Sequence, residues 1–108
     1  MFTRHTDTGY RESLPGITQK TLAHGKHMLM TEFRLGQGSA LPLHTHPHEQ
    51  IGYLVSGEMT LRIGEEETLI RPGDSWNVPG NVPHAAQIHR DSVAVEVFYP
   101  VREEYLNG

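Results

Sequence analysis

The stretch LPLHTHPHEQIGYLVSGE, residues 41–58, carries both the chemistry and the strand pattern that indicate the fold. Its first half places three histidines, a glutamate and a glutamine within residues 44–50, and its second half returns at once to an apolar strand pattern. Histidine titrates near neutral pH and is the commonest protein ligand of transition metals. The cluster therefore indicates a chemical role rather than solvated surface.

The composition of the 108-residue chain favours one domain built almost entirely of β-strands. Apolar residues make up 36% of the chain, and 11 glycines and 7 prolines suit many short strands and turns. A net charge of -4 argues against nucleic acid as a partner, because phosphate binding needs a basic surface. Since cysteine, a signal-peptide pattern and a long apolar run are all missing, we expect a cytoplasmic protein with no membrane partner.

Strand patterns recur along the chain with turn signals about every 8 to 12 residues, which is typical of a sandwich or barrel. Met59, Leu61 and Ile63 show the period of two that a half-buried strand requires. The tail 101–108 is the one segment that could be helical. Strands are predicted at 16–25, 27–35, 50–55, 58–64 and 93–100, and turns are predicted at 72–73 and 90–91, with a hairpin at Ser56-Gly57.

The histidines of these strands are placed to form a cage for a metal ion. His44 and His46 are two residues apart, so on an extended strand their side chains point to the same face. Gln50 can face the same way if Pro47 turns the chain, and His84 begins another strand after a proline-stiffened loop. Three imidazoles and one amide oxygen suit one divalent transition metal, of which Ni, Zn, Fe, Mn and Cu are all candidates.

Two segments resemble the sequence motifs of the cupin family. GSALPLHTHPHEQIGYLVSG, residues 38–57, matches the first motif: a glycine, five residues, His-x-His, then Glu or Gln and a later glycine. GDSWNVPGNVPH begins the second motif, at about residues 73–88, with a glycine, five residues, a proline and the third histidine. The resemblance implies that residues 1–108 form a single cupin domain, an all-β double-stranded β-helix or jelly-roll barrel with a metal inside one mouth.

Two positions depart from the cupin pattern. Asn81 occupies the place usual for a glycine, which here stands at Gly80, and asparagine tolerates the left-handed backbone that this turn needs. The usual acidic fourth ligand is replaced by a choice between Glu49 and Gln50. The resemblance favours Gln50, because many small cupins have the ligand at that position, and Glu49 would then face outward beside His48.

The last strand narrows the function within the family. VAVEVFYPVREEYL, residues 93–106, resembles the terminal segment of small pectin-degradation cupins of the KdgF type, in which an acidic residue, a phenylalanine and an arginine line the pocket. Residue by residue these correspond to Glu96, Phe98 and Arg102, with glutamate in place of the more frequent aspartate. Strand parity separates Glu96 and Phe98 from a valine-rich face, which we expect to pack on the opposite sheet or on a partner subunit. The structural alternative for Glu96 is a salt bridge to Arg102 or an exposed edge strand.

The resemblance implies an isomerase-type enzyme that opens 4,5-unsaturated monouronates, derived from pectin or alginate, to the linear keto form. It implies that Glu96 shuttles the proton, Arg102 clamps the carboxylate of this sugar acid and Phe98 excludes water. Two alternatives stay open: a small metal-dependent dioxygenase with the same histidine cage, and a non-catalytic sugar-binding or sensor module. We also expect a homodimer, because a small jelly roll gains stability by burying an apolar face.

The remaining candidate residues have structural interpretations. Trp76, Phe33 and Tyr53 are predicted to be core or interface residues rather than contacts of a cofactor. The run GEEE at 64–67 is predicted to be a solvated hairpin tip. Histidines outside the cage are interpreted as structural; they are His5, His24, His27, His48 and His89.

Overall fold

The structure is a computed structural model that describes residues 1–106. It is nearly all β, as the sequence predicts, and among these residues no helix has the length and apolar character needed to cross a membrane. The strands are β1 (Arg11–Leu14), β2 (Ile17–His24), β3 (Leu29–Leu35), β4 (Ala40–His44), β5 (Glu49–Ile63), β6 (Glu66–Ile70), β7 (Ser75–Val78) and β8 (His84–Tyr99), followed by a 3-10 helix, Glu103–Tyr105.

Two long antiparallel strands, β5 and β8, connect the two halves of a jelly-roll barrel. The first half of β5 pairs with β7 and with the second half of β8, which continues through β3 and β2 to β1. The second half of β5 pairs with β6 and with the first half of β8, which also pairs with β4. The two long strands therefore belong to both halves, and the barrel interior lies between them.

The predicted hairpin at Ser56-Gly57 and the predicted turn at residues 90–91 are both wrong. Strand β5 runs through Gly57, whose positive φ of 96° accompanies shifts in the pairing register with β8. A Cβ on Gly57 would lie 2.0 Å from Ser92 Oγ, so only glycine permits this close crossing. The same glycine that suggested a turn instead forms a β-bulge, which bends a strand without ending it.

The first two predicted strands and the first predicted turn agree with the structure. The segments predicted at 16–25 and 27–35 become β2 and β3, and residues 72–73 form a turn before β7. The hairpin after β5 turns at Gly64-Glu65, because Ile63 pairs with Glu66. Residues 64–67 are thus the partly exposed hairpin tip that the acidic run predicted.

The core fills the barrel with the inward-facing residues of these strands. Strand parity in β8 is confirmed, since Glu96 and Phe98 are buried while the alternating valines are half-buried and Tyr99 is exposed. The valine face lies on the outer side of the sheet, away from the buried core. The buried apolar residues are Ile17, Leu29, Phe33, Leu35, Leu54, Met59, Leu61, Ile70, Trp76, Val78, Ala86, Ile88, Ala94 and Phe98.

The segment after β8 crosses the first two strands. Thr21 Oγ1 donates to the Tyr105 carbonyl at 2.5 Å, and an Arg11 guanidinium nitrogen donates to the Glu104 carbonyl at 3.2 Å. The predicted helical tail is therefore one short 3-10 turn, and its last two positions lie outside the described residues.

Candidate metal centre

Three histidines from different parts of the chain meet at one mouth of the barrel. His44 ends β4 and pairs with His84, the first residue of β8, whereas His46 follows in the connection to β5. The expectation that His44 and His46 lie on one extended strand is wrong, because β4 ends between them. Their ring nitrogens nevertheless come within 4.8 Å of one another and of those of His84, so the three form a group able to hold a metal ion.

The second motif supports the connection that carries His46. Asn81 has a φ of 66°, which confirms the left-handed turn predicted for it, and its N–H donates to the His46 carbonyl at 2.8 Å. A Cβ on Gly80 would lie 2.5 Å from the Pro47 carbonyl oxygen. Glycine at this position therefore lets the two loops approach closely enough to hold His46 in place.

Backbone carbonyl groups determine the tautomer of all three histidines. The Nδ1 atoms lie 2.8–3.0 Å from carbonyl oxygens two residues away, those of Pro42, His48 and Val82. A carbonyl oxygen can only accept a hydrogen bond, so each Nδ1 carries the proton and each neutral ring has its lone pair on Nε2. This arrangement of backbone acceptors behind metal-binding histidines orients the free nitrogen toward a metal.

Burial keeps two of the rings neutral. It lowers the pKa of His46 to about 4, and the charge of Arg102 lowers it further. Burial is also the main reason that the pKa of His84 is lowered. Nε2 of His84 is buried and has no hydrogen-bond partner among residues 1–106. A buried nitrogen lone pair without a partner is costly, and a bound cation would satisfy it.

Gln50 completes the fit to a cation. Its amide N–H donates to Glu96, which turns the amide oxygen toward His46. That oxygen lies 2.9 Å from Nε2 of His46. Since both atoms carry lone pairs when His46 is neutral, the contact is repulsive unless a cation accepts both lone pairs. The donor set present thus suits a divalent transition metal.

Glu49 lies on the opposite side of β5 from Gln50. Its side chain is exposed and accepts a hydrogen bond from Asn77 at 3.3 Å. Its neighbour His48 contributes a carbonyl group to His46 rather than a ring nitrogen to the cluster. The outward position expected for Glu49 is therefore observed.

Glu96 is the buried carboxylate beside this cluster. Its Oε1 accepts hydrogen bonds from the Gln50 amide and from the Trp76 indole, the latter at 3.0 Å. Burial raises the pKa of Glu96, and these two hydrogen bonds and the charge of Arg102 oppose the rise. The exposed-edge alternative is wrong, because β8 pairs with strands on both sides. No salt bridge joins Glu96 to Arg102 within residues 1–106; the ion-pair partner of Arg102 is Glu104, at 3.4 Å.

Phe98, Arg102 and Tyr105 form an aromatic and cationic group next to His46. The Phe98 ring meets the His46 ring edge-on, with centroids 5.9 Å apart. The Arg102 guanidinium lies 5.2 Å from the Phe98 ring centroid and 4.4 Å from that of Tyr105. Sequence reasoning missed Tyr105, since its contact with Phe98 depends on how the final turn docks.

A narrow recess with a volume of about 30 Å³ lies on the inner side of the cluster. One end is polar, and the other is lined by core residues such as Phe33, Met59 and Leu61. Neither Phe98 nor Arg102 lines it. Trp76 lines the recess, so it is a site residue as well as the predicted core residue. The polar end consists of His44, Gln50, His84 and Glu96.

The fold and the three-histidine group define a class: small jelly-roll barrels with a candidate metal site at one mouth. A family model described as a cupin domain matches residues 31–99. The chain therefore belongs to the cupin family. Among solved structures it is similar to KdgF from Halomonas sp., with a TM-score of 0.92 and 28% sequence identity, over 98% of this chain and 100% of that one.

Two curated relatives are dioxygenases. The chain is 29% identical to 3-hydroxyanthranilate 3,4-dioxygenase of Xenopus tropicalis over 86 residues, which cover 76% of this chain and 30% of that protein. It is 40% identical to quercetin 2,3-dioxygenase of Bacillus subtilis (strain 168) over 58 residues, which cover 51% of this chain and 17% of that protein. The chain thus spans less than a third of the length of either relative.

Proposed function

We propose that the protein is a metal-dependent isomerase that opens 4,5-unsaturated monouronates to their linear keto form. The observation that carries the proposal is the buried Glu96 carboxylate beside the three histidines, with one oxygen held by two donors. Similarity to KdgF over the whole of both chains supports the proposal, as does the matching segment with Glu96, Phe98 and Arg102.

The metal would be held by Nε2 of His44, His46 and His84 and by Oε1 of Gln50. When bound, a divalent transition metal supplies a Lewis acid that favours negative charge on a substrate oxygen. Gln50 also connects this site to Glu96, because the same side chain turns its oxygen to the histidines and its N–H to the carboxylate.

The reaction moves protons without oxidation or reduction. The anomeric hydroxyl of the uronate loses its proton, and the bond from the anomeric carbon to the ring oxygen breaks. The double-bond carbon that is not attached to the ring oxygen then gains a proton, which leaves a ketone. Glu96 would carry the proton through Oε2, for which no hydrogen bond is found within residues 1–106. Its raised pKa brings the carboxyl closer to the working pH of a general acid and base.

Arg102 and Phe98 would bind the substrate. The Arg102 guanidinium lies beside the Phe98 and Tyr105 rings, and its Nε is 3.4 Å from a Glu104 carboxylate oxygen, which the substrate carboxylate would replace. Its planar pair of donors suits the uronate carboxylate. Phe98 would exclude water from the side of the site next to His46.

The test is a direct assay with purified, metal-loaded protein and monomeric unsaturated uronates from pectin and from alginate. Opening removes the conjugated double bond, so ultraviolet absorbance falls, and proton NMR identifies the linear ketone. Enzyme from which the metal has been removed by a chelator is the matched control. Absorbance that decays no faster with the loaded protein than without it would refute the proposal.

A metal-dependent dioxygenase is the second candidate, which the two dioxygenase relatives favour. A dioxygenase consumes O₂ in proportion to product, whereas the isomerase does not. Equal rates of uronate opening in air and under anaerobic conditions would exclude this candidate for that reaction.

We also propose that the protein acts as a cytoplasmic homodimer that pairs through the outer face of β5 and β8. Ile51 and Tyr53 are about half exposed there, and they pair with Val97 and Val95. This continuous apolar face supports a second copy as the partner, because burying it removes apolar surface from water. The absence of cysteine suits a reducing compartment.

A further inference from the structure

Trp76 reaches Glu96 across an intervening strand. Gly52 of β5 lies opposite Trp76 of β7 on one side and opposite Glu96 of β8 on the other. Neighbouring strands lie about 4.8 Å apart, so the backbones of Trp76 and Glu96 are separated by two such spacings. The indole spans this gap, and its N–H donates to Glu96 Oε1 at 3.0 Å.

Gly52 leaves the space that the indole occupies. A Cβ on Gly52 would lie 2.2 Å from the indole atoms Cε2 and Nε1, far inside van der Waals contact. Gly52 is not among the residues with positive φ, so space rather than backbone conformation explains the glycine. A glycine inside a strand commonly marks a close approach of this kind. Any side chain at position 52 would displace the indole from Glu96.

We propose that Trp76 is a positioning residue that, together with Gln50, fixes the orientation of the Glu96 carboxylate. The terminal torsion of a glutamate is broad, so an unheld carboxylate rotates freely. Here both donors bind the same oxygen, Oε1, which leaves Oε2 as the oxygen free to exchange a proton. The catalytic part of this inference rests on the proposed function. The structural part is independent of the substrate: Trp76 fixes the Glu96 carboxylate, and Gly52 leaves the space that the indole needs to reach it.

The first experiment needs no activity. The chain has one tryptophan, so a protein labelled with ¹⁵N-tryptophan shows one indole N–H resonance. We expect Glu96→Gln to move this resonance upfield, because a neutral acceptor binds the N–H less strongly than a carboxylate. Gly52→Ala should shift it and speed its exchange with solvent. The control Ile88→Val, at a core residue that does not itself line the recess, should leave it in place. An unchanged resonance in Glu96→Gln and Gly52→Ala would overturn the proposal.

The second experiment separates the hydrogen bond from the packing of the ring. Replacing the single tryptophan by its benzothiophene analogue keeps the shape of the side chain and removes only this N–H. We expect kcat for uronate opening to fall about 10- to 100-fold, the usual effect of losing an outer partner of a metal site, with KM and metal content unchanged. A parental kcat in the analogue would overturn the positioning role. A parent protein that opens no uronate would refute the proposed function instead, and the indole resonance would still decide whether Trp76 fixes Glu96.

Discussion

Replacing Glu96 by glutamine removes the proposed proton carrier while leaving the shape of the site in place. Glutamine has the size of glutamate, and its amide oxygen can accept the same two hydrogen bonds from Gln50 and Trp76 that Glu96 Oε1 accepts. The amide nitrogen then stands where Oε2 stood, and it cannot take a proton. Because Gln50 keeps its acceptor, its own oxygen should stay turned toward His46.

The expected loss of rate is about 10²- to 10⁴-fold in kcat, the range for a general acid or base. This corresponds to about 3–5 kcal/mol of transition-state stabilisation. The free energy of unfolding should change much less. Two hydrogen bonds to a charged group become hydrogen bonds to a neutral one, at a cost of about 1 kcal/mol each. The substitution also removes a buried negative charge, which is itself destabilising, as the burial-raised pKa of Glu96 indicates. This gain offsets the cost of the weaker hydrogen bonds.

The assay compares the initial rate of absorbance loss for the parent and Glu96→Gln, together with metal content by mass spectrometry and the melting temperature. A slow variant with full metal and a near-parental melting temperature is the expected result. A variant that opens unsaturated uronates at the parental rate would refute the role of Glu96, even with the metal site intact. A variant that loses its metal would instead show that Glu96 serves only to orient Gln50.

The remaining predictions concern the metal, the substrate and the assembly. The parent should purify with close to one divalent transition metal per chain, and replacing His46 and His84 together by alanine should strip it; full occupancy in that double variant would contradict the assignment. Arg102→Lys should raise KM more than it lowers metal content, because lysine keeps the charge but loses the bidentate fork, whereas His48→Ala should change neither. Added Ni²⁺ or Cu²⁺ should quench the fluorescence of Trp76, which lines the same recess as two of the histidines, and the double alanine variant should show no quenching. Light scattering at micromolar concentration should give a dimer, and a species of 12.2 kDa alone would contradict the proposed pairing.

Local patterns predicted much of the strand content. They also predicted a hairpin at residues 56–57 and a turn at residues 90–91, where the strands β5 and β8 are continuous. The alternation in residues 58–64 and 93–99 appears in the structure as alternating burial. Gly57 was misinterpreted, because a glycine at a turn and a glycine at a bulge look alike in a sequence. The partner strand distinguishes the two cases. Strand β8 pairs with β5 on both sides of the bulge, and Ser92 of β8 leaves no room for a side chain at Gly57.

The sequence by itself determined an all-β sandwich or barrel and the shared strand face of Glu96 and Phe98, because these follow from spacing within short segments. Its resemblance to the cupin motifs implied the jelly roll and supported the three histidines as ligands. Only the tertiary structure decided how these groups face one another. Gln50 and Glu96 are 46 positions apart, and Trp76 is 20 positions from Glu96. Their contacts depend on the register in which β5 pairs with β7 and β8, and a shift of one residue would turn each inward side chain outward. The hydrogen bonds that hold the Glu96 carboxylate therefore result from long-range strand pairing, which local sequence patterns do not predict.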